Sequence, residues 1–143
     1  MATAEKILAE KGGDVVWIGP EATVLEAVRL MNIKRVGAVI ILAEGRLAGI
    51  FTERDVMRRI VGEQLEATKT RVGDVMTTPV ACAAMHTTDH ELREVFRNKR
   101  IRHLPVVDAG RVVGVVSIGD VNRVEKKVQD QTINYLQQYM SVT

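Results

Sequence analysis

Two seven-residue stretches hold the side chains best suited to binding chemistry: Gly49-Ile50-Phe51-Thr52-Glu53-Arg54-Asp55 and Gly114-Val115-Val116-Ser117-Ile118-Gly119-Asp120. Each reads glycine, two apolar residues, a hydroxyl, two variable residues and an aspartate. A hydroxyl at the start of a helix lies beside backbone N–H groups and the positive end of the helix dipole, which suits a phosphate. An aspartate one turn later is an acceptor-only group that can take both hydroxyls of a ribose. The same spacing also describes a helix cap, in which the two side chains only satisfy the first backbone N–H groups. A single copy leaves both readings open. Two copies in one register favour the ligand.

The elements that must position these residues repeat as well. Shifted by 65 residues, Thr23 falls on Thr88, Glu26 on Glu91, Lys34 on Lys99, Arg35 on Arg100, Gly45 on Gly110, Arg46 on Arg111, Gly49 on Gly114, Asp55 on Asp120 and Val56 on Val121. In the first copy, Val15 to Ile18 is a short β-rich run closed by Gly19-Pro20. Apolar residues at Val24, Ala27, Val28 and Met31 give a helical stripe, with Thr23 as N-cap and Glu26 completing a capping box. Gly37 to Leu42 reads as a buried strand, Glu44-Gly45 as a turn and Leu47 to Phe51 as its hairpin partner. A helix is expected over Glu53 to Ile60. The second copy places a short strand at Val80 to Ala83, a helix at Thr88 to Asn98, and a hairpin from His103 to Val107 and Val112 to Val116. Another helix starts near Ile118. The fold class is therefore α+β: two β-α-β-β-α units, each too small to bury much surface alone and so packed face to face about a pseudo-two-fold axis. The first unit spans 1–62 with an N-terminal helical segment, a polar linker 63–71, the second unit 72–125, and a C-terminal helical extension 126–143.

Composition narrows the functional classes. The chain has 143 residues, 46% of them apolar, enough for a core. Lys and Arg number 20 against 18 Asp and Glu, for a net charge of +2, too even for a protein built to hold nucleic acid or a membrane surface. The longest apolar stretch, Val36 to Ala43, is far short of a membrane span. The single cysteine, Cys82, excludes an internal disulfide. No signal peptide is visible in residues 1–20, and the expectation is a cytoplasmic protein.

With the repeat in place, the doubled unit, the paired Gly-x-x-Ser/Thr-x-x-Asp ends and Arg102-His103-Leu104-Pro105-Val106-Val107-Asp108 resemble a tandem pair of CBS (cystathionine β-synthase) domains, a Bateman module, over about residues 5–125. The resemblance implies a regulatory module that binds AMP, ADP, ATP, NAD(H) or S-adenosylmethionine in clefts between the units, with no cofactor required. It implies that Thr52 and Ser117 contact phosphate and that Asp55 and Asp120 hold ribose. It also implies that the base is framed by Val16 and Trp17 with Gly37 and Ala38, and by Ala81 and Cys82 with Arg102, His103, Leu104 and Pro105. Arg100, Arg102 and His103 in the second copy, and Lys34, Arg35 and Arg54 in the first, are the expected phosphate partners. Both clefts are expected to bind, with different phosphate preferences. The alternative is a structural interaction module whose clefts bind nothing.

The remaining features suggest no enzyme: no phosphate-transfer loop, nucleophile triad or metal cage is evident. His86 and His90 straddle the cap at Thr88 and lack a third ligand. His103 either titrates near neutral pH beside a phosphate or merely packs. Cys82 reads as a small buried residue. From Val121 to Met140 an apolar stripe of Val121, Val124, Val128, Ile133, Leu136 and Met140 predicts a helix covered by a second subunit. The expected partners are thus an adenine nucleotide, a second copy in a homodimer, and a protein effector.

Overall fold

The hairpin turns and helix caps are local chemistry, and they fold as their residues dictate. The computed structural model describes residues 2–126. In chain order these form α1 (Ala4–Lys11), β1 (Trp17–Ile18), α2 (Val24–Lys34), β2 (Ala38–Ala43), β3 (Arg46–Thr52) and α3 (Glu53–Asp55). A π-helical segment, Val56–Val61, continues α3. It is followed by α4 (Val72–Val75), α5 (Asp89–Lys99), β4 (His103–Asp108) and β5 (Arg111–Ser117). A final helix, α6, occupies 118–126. This is an α+β fold with two small sheets, β1-β2-β3 and β4-β5. The expected helical stripe beyond Lys126 lies outside the described residues.

The repeat is visible in the backbone. The hairpins pair Ala38 with Thr52 and His103 with Ser117, and each slips register at the equivalent point, between Ile41 and Leu42 and between Val106 and Val107. Both turns place two successive residues at positive φ, Glu44 (53°) with Gly45 (78°) and Ala109 (50°) with Gly110 (78°), the tight turn whose twist matches its strands. The Thr23 and Thr88 hydroxyls accept from Glu26 N at 3.1 Å and Glu91 N at 3.2 Å. Only at Thr88 does the glutamate reach back to complete the capping box.

Three expected elements come out differently. The first short strand pairs only over Trp17–Ile18. Its counterpart at Val80 to Ala83 shrinks to one bridge, Ala83 to Val106, since Ala81, Cys82 and Ala83 lack the β-branched and aromatic bulk of Val15 to Ile18. The helix over Glu53 to Ile60 is α-helical for three residues and then π-helical, a geometry common beside functional sites.

Packing joins the units and exchanges their leading segments. In β2, Val39 and Ile41 face one core with Val24, Ala27, Met31 and Phe51, while Ala38 and Ile40 join Ile50, Val112 and Val115 between the units. The unbroken apolar run of β2 follows, since both its faces are covered. Helix α1 buries Ala4 and Ile7 with Leu92, Phe96, Leu104 and Val106 of the second unit. Helix α4 buries Val72 in the first unit's core. The N-terminal helix, placed with residues 1–62 by sequence order, therefore packs in the second unit, and the segment opening the second unit packs in the first.

Candidate functional site

At both motifs the strand ends on the hydroxyl and a helix begins. Thr52 Oγ1 accepts from Asp55 N at 3.2 Å, and Asp55 Oδ2 accepts from Thr52 N at 3.0 Å, a complete capping box. Ser117 Oγ accepts from Asp120 N at 3.1 Å, and Asp120 Oδ2 accepts from Ser117 N at 2.8 Å. Both acids are buried, 8% and 3% exposed. The capping reading therefore holds at both positions. It leaves room for a ligand, because an ionised carboxylate accepts about four hydrogen bonds.

The glycine that opens each motif has a steric cause. A Cβ at Gly49 would lie 2.5 Å from Met76 Sδ, and one at Gly114 would lie 2.6 Å from a Leu8 methyl. These are the close approaches of the exchanged segments to β3 and β5.

A cleft of about 1010 Å³ opens beside Thr52, at the upper end of the range for small-molecule sites. Its walls come from both units: Thr52, Arg54, Asp55, Arg58, Arg59 and Thr77 face Val80, Ala81, Lys99, Arg100, Arg102 and His103. Arg54 donates to Arg100 O at 2.5 Å and joins the units. Arg59 donates to the carbonyls of Val75 and Met76 at 3.1 and 2.9 Å. The guanidinium groups of Arg100 and Arg102 make no hydrogen bond among the described residues, and both residues are exposed. Cations so arranged, around a hydroxyl at a helix start, suit a phosphate chain.

A narrower cleft of about 330 Å³ lies beside Ser117. Val16, Arg35, Gly37 and Ala38 of the first unit face Ser117, Asp120 and Arg123 of the second, with Lys11 at the edge. Burial opposes the charge of Asp120, but hydrogen bonds from Lys11 and Ser117 outweigh it and hold the carboxyl below the usual carboxylate range. His103 lines both clefts. Burial pushes its imidazole below the ordinary 6.5, with Lys11 and Arg102 in the same direction and Glu53 and Asp120 opposing. His103 is therefore held toward its neutral form. Its Nε2 would lie 3.1 Å from a Cβ at Gly37, so the glycine makes room for the one imidazole that lines both clefts.

The partition of residues differs from the order of the copies. Arg100 and Arg102 were expected near the phosphate position of their own copy; they line the Thr52 cleft instead, because the units pack face to face, while His103 lines both clefts. Likewise Arg35, Gly37 and Ala38 line the Ser117 cleft. Five expected residues line neither cleft: Trp17, 54% exposed; Lys34 and Cys82, both exposed; and Leu104 and Pro105, both buried in the core. Cys82 is an exposed residue, not a buried one. What burial its thiol has pushes it up, away from the thiolate. His90 lies 3.5 Å from Glu94, and among the described residues no group of three His, Cys, Asp or Glu side chains could hold a metal ion. Sequence reasoning missed Lys11, Thr77, Arg58, Arg59, Lys99 and Arg123.

Comparison with known proteins gives a consistent picture. The CBS domain family model matches residues 8–62 and 72–127. The CBS domain-containing protein CBSX3, mitochondrial, of Arabidopsis thaliana is 35% identical over 130 residues, covering 85% of this chain and 63% of its own length. The chain thus spans less than two thirds of that relative. The crystal structure of the CBS-domain containing protein ATU1752 from Agrobacterium tumefaciens superposes with a TM-score of 0.82 at 34% identity, over 87% of this chain and 99% of that one. The CBS domain protein PAE2072 from Pyrobaculum aerophilum, complexed with AMP, gives 0.74 at 26% identity, over 83% and 89%.

Proposed function

The chain belongs to the CBS domain family, and from that premise we propose that it is a regulatory module binding adenine nucleotides (AMP, ADP, ATP or NAD(H)) between its two units. One observation carries this reading. The Thr52 cleft combines a helix-start hydroxyl, an acid one turn on, and arginines from the opposite unit in one cavity. The AMP complex of PAE2072 supports the adenine class of ligand. The phosphate goes to Thr52 and the guanidinium groups of Arg100 and Arg102, and the ribose diol to Asp55, replacing the Thr77 hydroxyl. A ligand so bound touches both units and stiffens their interface. It shifts a conformational or oligomeric equilibrium only by its differential affinity for the two states. The output passes to a second copy or to a protein effector rather than to chemistry on the nucleotide. A single exposed cysteine suits a reducing compartment such as the cytoplasm.

The alternative, an interaction module with non-binding clefts, is favoured by one feature: both acids already serve as capping groups. Calorimetry separates the two. Wild type is expected to bind AMP, ATP or NADH, with Asp55→Ala losing about ten-fold or more at one cleft and Asp120→Ala at the other. Unchanged binding in both variants contradicts the sensor reading.

A further inference from the structure

The two acids are held by different chemistry, and the difference comes from residues outside the motifs. At Asp55, Oδ1 accepts from the Thr77 hydroxyl at 3.0 Å, with Arg59 Nε at 3.6 Å. At Asp120, the Lys11 ammonium donates to Oδ2 at 2.9 Å and also to Val115 O at 2.8 Å, while Arg123 binds Oδ1. Oδ2 is also the atom that accepts from Ser117 N, so Lys11 stands next to the Ser117 turn. Lys11 is the last residue of α1, and Leu8 of that helix packs on Gly114 too closely to admit a Cβ. The ammonium is thus delivered by a helix seated on β5. The 65-residue shift sets Lys11 on Met76, so the other unit has no cation at the equivalent position, and Asp55 meets only Arg59 of its own helical segment.

We propose that Lys11 is the specificity-determining residue of the Ser117 cleft and makes it demand a ligand that carries an anion. This rests on the nucleotide reading above. A sugar diol reaches Asp120 only when the ammonium moves off it. Lifting one of two cations from a carboxylate that is 3% exposed leaves Arg123 alone to balance the buried charge, and the freed ammonium without its anion, which is unfavourable. A nucleotide resolves this by exchange: its diol takes the carboxylate, and its phosphate at the Ser117 turn takes the ammonium. A nucleoside supplies only the diol. At the Thr52 cleft a diol replaces a neutral hydroxyl, while Arg59, held by the Val75 and Met76 carbonyls, keeps its place 3.6 Å from Asp55, so no cation has to be displaced.

The test is a titration of 15N-labelled protein with adenosine and with AMP. Ser117 and Gly119 amides report one cleft, Thr52 and Arg54 amides the other. In wild type, AMP is expected to saturate the Ser117 cleft at a concentration at least about ten-fold below adenosine. Lys11→Met, which keeps the aliphatic stem, brings the two within about two-fold by admitting adenosine, and Lys11→Arg restores the preference. The ratio at the Thr52 cleft stays constant across the three proteins. If Lys11→Met binds AMP with the wild-type ratio at Ser117, the role of Lys11 is overturned and nucleotide binding stands. If no amide of either cleft moves with AMP in wild type, the nucleotide reading falls and the Lys11 role with it.

Discussion

Arg35 and Arg100 sit at φ 56° and 55°, in the left-handed region where a Cβ costs about 1–2 kcal/mol. Each ends a helix, and each lines a cleft. Glycine would relieve the strain at both positions, so the arginines are held there against local preference. Arg100→Gly is expected to raise stability by up to about 1 kcal/mol in denaturant unfolding while weakening ATP binding about ten-fold in calorimetry. A variant that binds as tightly as wild type would show that the arginine serves no ligand. His103 makes a second prediction. Its folded-state pKa lies below the unfolded 6.5, so the unfolded chain takes up the proton first as pH falls. The stability that His103 contributes is complete above 6.5 and is lost as pH drops through the folded value. Measured against His103→Gln, wild type should lose relative stability as the pH falls below about 6.5; parallel curves would refute the buried imidazole. At this scale the sequence was legible where chemistry and spacing coincide, as at Thr52 with Asp55 and Ser117 with Asp120. Lys11 and Thr77 were not, because each reaches its acid across the fold, and no local pattern marks a long-range partner.

Helices, hairpins and turns followed from nearest neighbours in the chain. Thr88 with Glu91, the twin turns at Glu44-Gly45 and Ala109-Gly110, and the β2 run were all readable because each is decided by a few adjacent residues. The exchange of α1 and α4 between units was not readable, since an amphipathic turn carries no information about which core receives it. Nor was the π-helical run after Asp55, whose residues fit an α-helix equally well. The exchange explains why each motif begins with glycine. Gly114→Val would drive a side chain into Leu8 and is expected to destabilise the protein by about 1–3 kcal/mol. It should also loosen Lys11 from Asp120, so that amide exchange in α1 speeds up before that of α5. Uniform acceleration across the second unit would argue against α1 as a separately seated element. Thr52→Ala removes a cap and should cost about 1 kcal/mol; Thr52→Ser, retaining the hydroxyl, should cost much less. Equal losses would show that the hydroxyl carries no capping role.

For the molecule as a whole, the repeat sets the symmetry and the face-to-face packing breaks it. One imidazole beside Gly37 lines both clefts, and the clefts are unlike: a wide cationic one at Thr52, and a narrow one at Ser117 whose acid already holds Lys11 and Arg123. A ligand bridging the units should stabilise the fold as one body, by about 2.7 kcal/mol at 100 times its dissociation constant, read as a shift of the unfolding midpoint. The most direct test of the account is a crystal structure grown with ATP. The account predicts phosphate oxygens at the Thr52 turn within hydrogen-bond reach of Arg100 or Arg102, and the ribose on Asp55 in place of Thr77. A cleft left empty at saturating ATP, with Asp55 still holding Thr77, would contradict it.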